Sequence, residues 1–474
     1  MIEKKREETP TKTTVSVKQV NAILSEYFEL IDSYFGGIKH HLGPEDDSHI
    51  DISLLMPKYP LVSDLIIDTI DDLDEAVDKF WQKNLRPLAD YVREKDALKC
   101  LYSGDTTPQI LVDFTKRSAL YVDTIILPDP IYNLAIFQKQ ICIDKKYYLQ
   151  KLLRHIFNIW KLKDIILLDA DPKPILILPI NLGLVNEKSR KALLESADKN
   201  LAKYVSQITG KNLSSAQESL DFFEKENTIE GVFKKFSRTD LLPSDLASEA
   251  SFREFMEKFS NTGQFIKFKK DESVGWDFGI YLRSQFIRVQ EHKYFCERLI
   301  AEPVYDYEVP WYFFNYDVGG VGMDAAIANA LQKDQFQWVN KMPIAALKVM
   351  RTENKLGYMR DVLRHGITDL KAKHDHDLVK VCEQVEANLK DAFAKQESEI
   401  KKLQDQANKI VGKEIPITSG GCLLGLIPYG VGTVVSFLTA GRDIKKALSE
   451  RAALEKEIQE KKSGFLSLLL KSHE

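Results

Sequence analysis

The chain has 474 residues, with 66 Lys and Arg against 70 Asp and Glu and a formal net charge of −4. Hydrophobic residues make up 44% and charged residues 29%, the balance of a folded globular protein, which excludes a disordered, collagenous or polytopic membrane chain. The near-neutral charge speaks against nucleic acid as a partner, because neutralising phosphates needs a clear basic surplus.

Residues 1–14 (MIEKKREETPTKTT) lack the apolar stretch of a signal peptide and read as a disordered leader. The cysteines, Cys100, Cys142, Cys296, Cys382 and Cys422, are scattered without CxxC spacing. That points to a reducing cytosol rather than a disulfide framework or a zinc ribbon.

From Val15 to Trp160 the apolar residues recur mostly at helical spacing, beginning with Val20, Ile23, Leu24, Tyr27 and Phe28. Leu61–Val92 and Tyr132–Trp160 read as longer helical stretches, each with room for one break. Leu120–Leu127 fits either a strand or a helix end, since a short apolar run does not separate the two. The clearest β signal is Asp164–Gly183, where Ile165–Leu168 and Ile175–Leu178 flank Asp169-Ala170-Asp171-Pro172-Lys173-Pro174. Aspartate and proline are turn formers, so a β-hairpin is expected near 164–184. Residues 186–260 return to helical patterning, and the aromatic-rich stretch 262–320 has room for another β element. Helices resume at Met323–Leu331 and from Pro343.

The last third differs. A stripe at Leu378, Cys382, Val385, Leu389, Phe393, Gln396, Ile400, Leu403, Ala407 and Ile410 follows a heptad pattern with one stutter. It predicts a long helix in a coiled coil or antiparallel hairpin, with self-association through 378–410. No charged residue then appears from Ile415 to Gly441. Within that window, 420–441 (GGCLLGLIPYGVGTVVSFLTAG) has the length of a bilayer span, but six glycines and Pro428 make it poor as one straight helix. A kinked span, a re-entrant hairpin, buried core or a partner groove remain open to it. Leu423, Leu424, Leu426, Ile427, Val434, Val435, Phe437 and Leu438 are its candidate membrane or partner contacts. A second charged helix follows, and then a tail, KKSGFLSLLLKSHE, whose basic and apolar residues suit a membrane interface.

The chemical motifs are sparse. Asp169 and Asp171 are weak metal candidates, equally read as turn residues. Gly320 and Gly322, with Ala325, fit a G-x-G-x-x-A spacing that could face a phosphate, but no acidic strand end or Gly-Lys-Ser/Thr supports it. Arg360 and Arg364 lie one helical turn apart, where an anion or neighbouring carboxylates could be met. The cluster from His40 to Asp51 reads as a metal site or an acidic loop. No G-x-S-x-G or H-E-x-x-H is present, and no cofactor is indicated.

The expected fold is therefore mainly α with minor β. Its domains are the leader (1–14), a mostly helical cytosolic body (15–365, with candidate subdivisions near 160–185 and 260–320), and a coiled-coil hairpin (366–474) with an apolar glycine-rich tip. Two functions suit it. One is a non-enzymatic effector that contacts a membrane surface, at the inner face, or a partner protein through 420–441; bacterial stress and phage-defence effectors share that general plan, an analogy of architecture alone. The other is a soluble enzyme with its pocket in the aromatic-rich middle or at the Asp169–Asp171 turn, and with the apolar segment as core.

Overall fold

The computed structural model describes residues 15–36, 60–103, 108–141, 145–261, 273–305, 308–318, 322–342, 344–352, 354–367, 375–414, 442–463 and 469. Helices predominate, with a small parallel sheet. The chain forms two compact units. The first comprises Met1–Asn340 with Gly366–Glu383, and the second Lys341–His365 with Gln384–Glu474.

In the first unit, α1 (Val17–Phe35) starts on a capping box: Gln19 N–H donates to Ser16 Oγ and Ser16 N–H to Gln19 Oε1. Its buried face is Val20, Leu24, Tyr27, Phe28 and Ile31. α2 (Pro60–Glu94) runs unbroken through Pro87 and leads to β1 (Lys99–Ser103). α3 (Pro108–Ser118) then crosses to β2 (Thr124–Pro128). The helical stretch expected over 132–160 is covered by α4 (Pro130–Ile141) and α5 (Lys145–Ile166), which precede β3 (Ile175–Leu178).

The hairpin expected near 164–184 does not form. Ile165 and Ile166 close α5, where both are buried, and β3 pairs in parallel with β2 rather than antiparallel with residues 165–168. The reason lies in burial. A strand apolar on both faces suits a sheet covered on both sides, and every residue of β2 and β3 is buried. The aromatic region supplies the fourth strand, β4 (Glu302–Tyr305), parallel to β1. The order is β3-β2-β1-β4.

A helical layer separates β3 from β4: α6 (Glu187–Thr209), α7 (Ala216–Glu224), α8 (Ile229–Phe233), α9 (Glu249–Asn261) and α10 (Val274–Leu299). Its core is aromatic, with Phe223, Phe236, Phe252 and Phe278 meeting edge to face. The approach of α10 to α7 depends on Gly275, where a Cβ would stand 1.8 Å from Phe223 O. After β4 come α11 (Glu308–Val318) and α12 (Met323–Ala330).

The second unit holds α13 (Ile344–Thr352), α14 (Leu356–Arg364), most of α15 (Asp375–Glu414) and α16 (Arg442–Ser463). Lys341–His365 thus groups with the C-terminal helices. Asn388 of α15 donates through Nδ2 to His365 O at 2.7 Å, satisfying a carbonyl at the end of α14. The predicted stripe on α15 is buried at Leu378, Cys382, Val385, Leu389, Phe393 and Ala407, and half-buried at Gln396, Ile400 and Leu403. Near its end α16 meets the middle of α15. Lys461 pairs with Glu399 at 2.9 Å, and Gln396 donates to Lys461 O at 3.3 Å.

Candidate functional site

The sheet has two distinct edges. Asp169 and Asp171 lie at its amino edge, just before β3. Asp171 accepts from Lys95 Nζ at 2.6 Å and from Tyr91 OH at 3.0 Å, and Asn21 Nδ2 stands 3.5 Å from Asp169 Oδ1. Lys173, 0% exposed, donates to Asn21 Oδ1 and Leu168 O, both at 2.6 Å. Burial lowers its ammonium to a pKa of about 8, against the opposing pull of Asp169. The aspartates thus join a lysine–tyrosine network that closes the turn. Among the described residues no three His, Cys, Asp or Glu side chains gather as a metal site requires.

The carboxyl edge is organised differently. Connections from β1 through β2 to β3 step one way across the sheet, whereas β4 lies on the other side of β1. The order therefore reverses between β1 and β4, and in open parallel sheets ligands bind outside the carboxyl ends of strands at such a reversal. Ser103, half-exposed, is in register there with buried Tyr305.

His292 of α10 fixes this edge. Its Nε2 lies 3.0 Å from Leu101 O and so must donate, leaving Nδ1 to accept from Tyr305 OH at 2.6 Å. Burial holds its pKa down to about 3, so the ring is a neutral bridge between β1 and β4. Asn329 of α12 secures β4 from another side, accepting from Tyr305 N–H at 2.9 Å and donating to Pro303 O at 2.9 Å. The sequences that follow β1 (Gly104-Asp105-Thr106-Thr107) and β4 (Asp306-Tyr307) lie outside the described residues.

At the end of β2, Asp129 is fully buried and caps α4. Tyr27 OH donates to it at 2.8 Å, Trp81 Nε1 at 2.5 Å and Ile131 N–H at 2.9 Å. Burial raises its pKa, and these donors work in the opposite direction.

The remaining sequence candidates are dispersed. Gly320 lies outside the described residues, while Gly322 is the N-cap of α12. The first turn of α12 holds Asp324, whose carboxylate accepts from Tyr121 OH at 2.5 Å and would repel a phosphate. Arg360 and Arg364 are half-buried on α14, and both already interact within the structure. His40–Asp51 and all the apolar-tip candidates, Leu423, Leu424, Leu426, Ile427, Val434, Val435, Phe437 and Leu438, lie outside the described residues. Among the described residues no helix is long and apolar enough to cross a membrane.

The sequence reading missed the β1–β4 reversal and the His292 bridge. A lone histidine on a helix carries no local signal, and parallel pairing joins segments about 200 residues apart in sequence. No known protein family, curated protein or solved structure matches the chain.

Proposed function

We propose that the chain is a non-enzymatic effector whose C-terminal helices carry the uncharged segment 420–441 to a membrane surface. The supporting observation is the meeting of α15 and α16 at Gln396, Glu399 and Lys461. From Glu399 to the end of α15 at Glu414 is about 22 Å, and from Lys461 back to the start of α16 at Arg442 about 28 Å. Two charged arms of similar length thus lead away from one junction, and the uncharged window Ile415–Gly441 joins their far ends in sequence. Segments without charge at the end of such arms suit a lipid interface, where burying apolar side chains is the driving term. Ile400 and Leu403, half-buried on α15, are the stripe positions offered to self-association.

Liposome flotation tests this reading. The full chain is expected to rise with phosphatidylglycerol-containing vesicles, and Val435→Asp to stay in the dense fraction. Equal behaviour of the two proteins, floating or not, overturns the membrane role of 420–441.

A second reading, a soluble enzyme, is favoured by the strand order. Of the pocket positions considered from sequence, the aromatic-rich middle includes β4, whose carboxyl end lies at the β1–β4 reversal, while the Asp169–Asp171 turn lies at the opposite edge. Small-molecule binding that is lost on changing Ser103→Trp, with the fold retained, would favour this second function.

A further inference from the structure

The second unit contains a groove of 990 Å³ walled by α14, α15 and α16. Its floor is apolar, formed by Met359, Val362 and Ala392. At its side Tyr358 is 47% exposed. Five carboxylates line it: Asp361, Asp391, Glu399, Glu457 and Glu460. Three lysines accompany them, Lys355, Lys395 and Lys461, together with His365. Lys461 is paired with Glu399 and Lys456 with Glu460, so Asp361, Asp391 and Glu457 face Lys355 and Lys395, a small excess of negative charge.

Three helices around an apolar floor make an arrangement that a fourth helix completes, as in a bundle. At a helix diameter of about 10 Å, the groove volume holds about two turns. An acidic rim selects against an acidic partner and favours Lys or Arg beside the apolar contacts. We propose that this groove receives a basic amphipathic helix from a partner protein, its leucine-like side chains over Met359 and Ala392 and its cations against Asp391 and Glu457. The inference is independent of the membrane role of 420–441.

The test uses the full chain and two fluorescent peptides of about four helical turns, one of leucine and lysine and one of leucine and glutamate, followed by anisotropy. The leucine–lysine peptide is expected to bind, and to bind about tenfold more weakly to the double variant Asp391→Lys/Glu457→Lys. Both positions are exposed, so the variant should keep its circular dichroism and melting temperature. The leucine–glutamate peptide should bind at least about tenfold more weakly than its basic counterpart. Absence of leucine–lysine binding, equal binding by the folded variant, or equal binding of the two peptides would overturn the proposal.

Discussion

The parallel sheet and the C-terminal helices use their residues in opposite ways. Every residue of β2 and β3 is buried, and polar groups beside them are tied into the interior, as Asp129 is by Tyr27 and Trp81. Helix α15 buries one stripe and leaves charges along the rest of its length. A strand apolar on both faces must be enclosed, whereas a striped helix needs cover on one side only. Stability should therefore respond most steeply to changes beside the sheet. The C-terminal helices should tolerate surface changes and reveal them in binding.

The largest effect is expected at Asp129. Replacing it with alanine strands two buried donors and removes the cap of α4, at a cost of about 4 kcal/mol in urea denaturation. A loss below about 1 kcal/mol would mean that the network is incidental to the fold.

Within α15 the contrast can be sharpened along one stripe. Leu389→Ala, at a position 2% exposed, should cost about 3 kcal/mol, and Ile400→Ala, half-buried, about 1 kcal/mol. Equal losses would show that the stripe is enclosed throughout and leaves nothing for self-association.

At the amino edge the expected effect is a slope with pH rather than a single loss. Lys173 is held at a pKa of about 8 in the fold, against an ordinary 10.5. Between those values the unfolded chain binds a proton that the folded chain lacks, so stability should rise with pH, by at most about 1.4 kcal/mol per unit from this group. Below the lower value the cost of burying the charge is present in full. Denaturation of Lys173→Met across the same window should lack this contribution. A variant whose slope equals that of the parent would contradict the assignment.

Much of the helical architecture was legible because its periodicity is local. The buried face of α1, the helical character of 132–160 and the stripe from Leu378 to Phe393 all follow from spacing alone. The sheet was harder to read. Ile165–Leu168 and Ile175–Leu178 look alike in sequence, yet the first straddles the end of a helix and only the second is a strand. Four or five apolar residues carry no decisive period, and each strand's partner lies far away in the chain. The functional consequence was hidden for the same reason. Nothing near Ser103 or Tyr305 announces that they pair, and only the strand order marks their edge as the point where the sheet reverses.

The central claim is that segment 420–441 enters a membrane, and Cys422 lies within it. Cys100, Cys296 and Cys382 are buried, so with Cys142→Ser an environment-sensitive fluorophore can be directed to Cys422. On addition of phosphatidylglycerol vesicles the account predicts a blue shift and quenching by a lipid-borne quencher, both lost in Val435→Asp. Emission and quenching unchanged by vesicles would contradict it.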